Sequence, residues 1–165
     1  MNIPFKLNRT QLLGVLFGLM FAVSFLMHMR WLTVEIQGIH AWRQCQTAWN
    51  IRNFCRHDAN IFNPRVAHFR DIDNNILRYE FPIMQWTIGM IQRVVGEHVI
   101  VIRLSMFLIG IWLAFGFYYL LRTLEFEKIP AFLGSLFFYF SPVIYYYQIN
   151  PMPDLMALGL SLIHI

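Results

Sequence analysis

Charge is scarce in this chain: Asp, Glu, Lys and Arg make up 13% of its 165 residues, about half the share of an ordinary soluble domain. So few charges cannot cover a water-facing surface, which excludes an ordinary soluble enzyme. Two cysteines exclude a disulfide-built extracellular scaffold, and 9 glycines beside 16 phenylalanines exclude collagen-like and disordered chains. There is no glycine-rich phosphate loop and no serine-elbow motif, and the six histidines are scattered, none at metal-ligand spacing. Apolar residues fill the space instead, at 58% of the chain with 17% aromatic. Such a composition needs a solvent other than water and predicts an all-α, polytopic membrane protein.

Four apolar runs predict the spans, at about residues 11–31, 99–121, 130–149 and 155–165. The first follows a basic leader, Lys6 and Arg9. A cleaved signal peptide is its rival reading, but the run is long for one and no small-x-small site follows, so an uncleaved anchor is expected. The third carries Tyr145, Tyr146 and Tyr147 as an aromatic belt. The chain stops inside the fourth, and a helix cut there cannot satisfy its last backbone groups; a piece of a longer protein is expected. The tail Leu160–Ile165 resembles translated sequencing-adapter read-through and carries little weight.

Basic residues in short loops set the orientation. Lys6, Arg9, Arg122 and Lys128 place the N-terminus and the loop near residue 125 in the cytoplasm, and residues 32–98 and 150–154 outside. The apolar stretch 83–95 is too short to span and is interrupted by Gln85, Gln92 and Arg93; with Pro82 at its first turn and Gly96 past its end, it reads as an interfacial helix over about 82–95.

The basic side chains of the long outer loop, histidines aside, are all arginine, and the two lysines lie elsewhere. Arginine grips phosphate with a planar fork, so the loop suits a phosphate-bearing ligand at the membrane face; snorkelling to lipid headgroups is the ordinary alternative for any one of them. A second interfacial helix is expected over about 41–57. Its polar stripe, Arg43, Gln46, Asn50, Asn53 and His57, is either a solvated face or a ligand-facing one. Ala41, Cys45, Ala48 and Cys55, flanked by Trp42 and Trp49, form the apolar side; the cysteines, about 15 Å apart along a helix, cannot pair within it.

Three acidic features bear on chemistry. Asp71-Ile72-Asp73 resembles the metal-binding triplet of soluble nucleotide-sugar transferases, but Asn74-Asn75 makes a turn the easier explanation; no cofactor is expected, with a divalent metal left open. Glu80 stands before Phe81-Pro82 where a helix begins, either as a cap or as a functional acid. Asp154 lies in Asn150-Pro151-Met152-Pro153-Asp154 where a span emerges, a functional candidate that can also cap the next helix.

Taken in order, His40-Ala41-Trp42-Arg43-Gln44, Asn63-Pro64-Arg65, Tyr79-Glu80-Phe81-Pro82 and Pro153-Asp154 resemble the N-terminal part of a membrane glycosyltransferase of the GT-C fold, over about residues 5–160. That group includes protein mannosyltransferases and the lipid A aminoarabinose transferase. The resemblance implies inverting transfer of a sugar from a polyisoprenyl-phosphate carrier to an acceptor at the outer face of the inner membrane. It also implies membrane lipids as partners, no nucleic acid, and no nucleotide site. Asp154 would sit beside the reaction, with Arg43 and Arg78 as candidates for the carrier phosphate and Gln44, Trp42 and Tyr79 as their substrate-side neighbours. Many relatives carry an Asp-Glu pair where Arg43-Gln44 stands, so the base is left among His40, Glu80 and Asp154. The lipid A enzymes carry a lysine where Phe81 stands. The rivals are a non-catalytic subunit binding lipid-linked glycans and, less well, a transporter, since the spans show few interior polar residues and no evident broken helix.

Overall fold

The computed structural model describes residues 8–66 and 75–164, and the Asp71-Ile72-Asp73 triplet lies outside them. The described residues form helices α1 (Arg9–His28), α2 (Ala41–Arg56), α3 (Ile83–Val95), α4 (Val99–Thr123), α5 (Lys128–Tyr139), α6 (Pro142–Tyr147) and α7 (Asp154–Ile163), with no strand among them. A short 3-10 turn, Met29–Trp31, extends α1. Together with that turn, α1 is long and apolar enough to cross a membrane, and so is α4.

α1 starts at Asn8, whose backbone N–H donates to Gln11 Oε1 at 2.9 Å, half of a capping box. It then buries Leu13, Phe17, Met20, Ser24 and His28, spaced by three and four residues along one face. Its outward residues Leu12, Val15, Leu19, Val23 and Leu26 are apolar and exposed. Phe17 is the hinge of an aromatic core, its ring centroid 4.9 Å from those of Phe115 and Phe132 and 5.3 Å from that of Tyr118. A second core joins Ile51 of α2 with Met84 and Ile88 of α3, Met106 and Leu113 of α4, Ile144 and Leu155. α2 and α3 are thereby bolted to α4.

Those two helices run parallel. Arg43 meets Glu80, Phe54 meets Gly89, and Arg56 meets Glu97, so position advances in the same direction along both. Gly89 permits the approach: a Cβ there would stand 2.8 Å from Phe54 Cβ and 2.9 Å from the Ile51 carbonyl oxygen.

The apolar run 130–149 is not one helix. α5 stops at Tyr139, and Pro142 opens α6 with Ser141 before it. Proline has no N–H to continue the ladder and crowds the turn behind it, so the helix breaks. The break is satisfied from within: Gln148 Nε2 donates to the Tyr139 carbonyl at 2.7 Å, and Gln148 Oε1 accepts the Ser24 hydroxyl at 3.0 Å. At 12, 6 and 10 residues, α5, α6 and α7 are each shorter than a crossing of roughly 20 residues. Both grounds for disfavouring a transporter therefore change. A broken apolar helix is present, and Ser24, His28, Arg103, Ser135, Gln148 and Asn150 are buried polar side chains in the bundle.

Candidate functional site

The start of α3 and the first turn of α2 build one polar cluster. Arg43 pairs with Glu80 through Nη2 and Oε2. Its Nη1 donates to Gln46 Oε1 at 3.4 Å, and its guanidinium carbon lies 5.5 Å from the Tyr79 ring centroid. Glu80 Oε1 accepts from Gln85 Nε2 at 2.9 Å. Both carboxylate oxygens of Glu80 are thus engaged. The structure brings four of the expected residues together here, counting Arg78 beside them.

Arg78 lines a neighbouring cavity of about 330 Å³ with Phe62, Tyr79, Glu80, Phe81 and Pro82. Its Nε donates to the Phe62 carbonyl at 2.9 Å, and its terminal amino groups have no partner among the described residues. An aromatic wall with free guanidinium donors suits a phosphate attached to an apolar or sugar body.

The other expected residues sit apart from this cluster or are used differently. Gln44 is fully enclosed: its Nε2 donates to the Ile39 carbonyl at 2.8 Å and to the Tyr146 hydroxyl at 3.0 Å. It pins α2 to α6. His40 is exposed and caps α2 in the left-handed region (φ 60°), and Trp42 is 64% exposed. Asp154 is exposed in the first turn of α7, and its carboxylate makes no hydrogen bond or ion pair among the described residues.

α2 faces the opposite way from a solvated polar stripe. Gln46 and Asn50 are buried beside Ile51 and Phe54, while Trp42, Cys45 and Trp49 are exposed. The amides of α2 are buried, as are Gln85 and Gln92 of α3, and Trp42 and Trp49 are exposed.

Beyond the cluster, the end of α2 is held by carboxylates. Glu97 accepts from Arg56 at 2.5 Å and lies 3.5 Å from Arg52; the Arg56 hydrogen bond holds its carboxyl below the ordinary value. Asp58 accepts the Asn60 backbone N–H at 2.9 Å, the main reason its carboxyl is lowered, and takes Asn63 Nδ2 at 2.9 Å. Asn63-Pro64-Arg65 therefore folds back on the helix end, with Asn53 Nδ2 donating to the Arg65 carbonyl at 2.9 Å. Burial pushes the Cys55 thiol up.

Arg103 is the residue that reading the sequence passed over. It is 2% exposed and donates to the carbonyls of Val34, Glu35 and Ile149 and to Asn150 Oδ1, at 2.7–3.3 Å. Beside it opens a cavity of about 400 Å³ lined by His28, Trp31, Gln37, Tyr145 and Tyr146. His28 is set between the carbonyls of Ser24 at 2.9 Å and Tyr145 at 3.1 Å. A charged residue inside an apolar run was the available signal.

Among the described residues no group of three or more His, Cys, Asp or Glu is placed to hold a metal ion. No family model, no curated protein and no solved structure matches the chain.

Proposed function

We propose that this chain is part of a multi-pass inner-membrane glycosyltransferase of GT-C type, moving a sugar from a polyisoprenyl phosphate to a lipid, glycan or protein acceptor. On this reading the N-terminus is cytoplasmic and residues 32–98 lie outside, with α2 and α3 in the interface and their exposed Trp42, Trp49, Val94 and Val95 in lipid. The observation that carries it is the cavity at the start of α3, where the open donors of Arg78 lie among Phe62, Tyr79 and Phe81. In the reaction the anomeric carbon–oxygen bond to phosphate breaks and the acceptor oxygen attacks from the opposite face. The leaving phosphate needs charge stabilisation, which Arg78 supplies, and the acceptor proton passes to a carboxylate. Our candidate for that carboxylate is Asp154, which makes no hydrogen bond or ion pair among the described residues.

A second reading has an observation of its own. Glu80 is held on both oxygens by Arg43 and Gln85, as in a site that binds and does not turn over. That favours a non-catalytic subunit that holds lipid-linked glycans.

Membranes carrying the intact gene product, given radiolabelled polyisoprenyl-phosphate sugars, separate the two. Transfer of label to lipid or protein, abolished by Asp154→Asn and lowered at least about tenfold by Arg78→Gln, supports the enzyme. Retention of the labelled lipid without transfer supports the subunit. Near-normal turnover in Asp154→Asn removes that residue from the mechanism.

A further inference from the structure

At the opposite end of the bundle from the Arg103 cavity, the start of α1, the end of α4 and the start of α5 enclose a cavity of about 470 Å³. Its lining divides by chemistry. Arg9, Arg122 and Lys128 supply three cations, and Leu12, Leu13 and Ile129 supply an apolar floor. Glu127 is the one acid, and none of these charges forms an ion pair among the described residues. Arg122 spends one terminal amino group on the Phe126 carbonyl, leaving its other donors open.

This is an uncompensated arrangement. Like charges converge with a single acid against three bases, and Arg9 and Lys128 are the first residues of α1 and α5, where the helix ends are themselves positive. No acid stands in the first turn of α1, and at the start of α5 the acid is its N-cap, Glu127. An anion entering the cavity would relieve both sources of repulsion. The floor says what the anion is attached to. Leu12 and Ile129 of the lining are exposed, as are Leu124 and Phe126 in the connection from α4 to α5, and the cavity lies at the ends of the two helices long and apolar enough to cross a membrane. A free phosphate has no use for that apolar rim, whereas a phosphodiester carrying acyl chains fits it.

We infer that the cavity between α1, α4 and α5 binds the headgroup of an anionic phospholipid, the phosphodiester held by Arg9, Arg122 and Lys128 and the first acyl methylenes on Leu12, Leu13 and Ile129. The site is separate from the Arg78 cavity and does not depend on what that cavity binds.

The test uses the full chain purified in maltoside detergent. It is titrated with phosphatidylglycerol, phosphatidylcholine or inorganic phosphate, with retained lipid counted by native mass spectrometry. One phosphatidylglycerol is retained in preference to phosphatidylcholine, and millimolar inorganic phosphate leaves it in place. Each neutralised cation weakens retention about fivefold, so Arg9→Gln/Arg122→Gln/Lys128→Gln loses it. Arg30→Gln/Arg52→Gln/Arg56→Gln, which removes the same charge elsewhere, keeps it. Glu127→Gln removes the competing acid, whose side chain makes no capping bond, and tightens retention severalfold, an outcome that no folding defect produces. Equal retention of phosphatidylcholine, displacement by inorganic phosphate, undiminished binding in the triple variant, or unchanged or weaker binding in Glu127→Gln would each overturn the inference.

Discussion

In the bundle of α1 and α4–α7, buried polar side chains bond to backbone carbonyls; around α2 and α3, Arg43, Arg52, Arg56 and Arg65 pair with carboxylates. Arg103, Gln148 and Ser135 all donate to main-chain oxygens in the bundle. Every ion pair among the described residues lies between Arg43 and Glu97. The contrast is one of environment. A carbonyl is a neutral acceptor with no countercharge to titrate, and in a low-dielectric interior it is costly to orphan. A half-exposed carboxylate pair is weak, screened by salt and lost in acid. The bundle is thus a fixed frame, and the α2–α3 seam is the part that solution conditions can adjust.

Substitutions in the two regions test that division. Arg103→Met strands three carbonyls and Asn150, and should cost roughly 3–5 kcal/mol in thermal unfolding followed by circular dichroism in detergent. Lysine at the same position recovers only part, because one ammonium cannot span the acceptors of a fork. Gln148→Leu should cost roughly 2–3 kcal/mol by orphaning the Tyr139 carbonyl and removing one partner of the Ser24 hydroxyl. If either loss shrinks in high salt, the frame is not carbonyl-based as described.

On the other side, Gly89→Ala forces a methyl group against the Ile51 carbonyl and Phe54 and should cost about 1–2 kcal/mol, with faster amide exchange in α2 and α3 and little change in α1. A double-mutant cycle of Arg43→Gln and Glu80→Gln should give a coupling of about 0.5–1 kcal/mol that fades with salt. The smallest effect is that of pH. Glu97 and Asp58 are both held below their ordinary values, 4.5 and 3.8, so their contribution is present above those values and is lost as pH falls through the depressed folded ones. Exchange at the ends of α2 and α3 should rise in acid while exchange in α4 stays unchanged.

Much of the fold was legible because periodicity and termini agree. α1, α2, α3 and α4 lie within a few residues of the segments their apolar runs and flanking polar residues predicted, and Gly96 does follow α3. Two features were not legible. Ser141-Pro142 carries a stop signal, but a continuous apolar run outweighed it until the Gln148 side chain showed how the freed carbonyl is satisfied. On α2 the two faces were separable by period, yet which face points out depends on what lies outside. Here Trp42 and Trp49 are exposed while Gln46 and Asn50 are buried. Of the candidate site, the cluster of Arg43, Tyr79 and Glu80 was foreshadowed by motif. The enclosure of Gln44 depends on Tyr146, more than a hundred positions away, and could not be read locally.

The parallel course of α2 and α3 has a kinetic consequence. A hairpin can zip from its turn, but a parallel pair has no turn to start from; the chain must first close the connection 57–82, at an entropic cost of ~3 kcal/mol. The seam's contacts return that cost only when Gly89 has already settled against Ile51 and Phe54. α1 and α4, whose helical contacts are local, can form without waiting for it. The polar cluster of Arg43 and Glu80 is therefore expected to gain amide protection after α1 and α4 in pulse-labelled exchange during refolding.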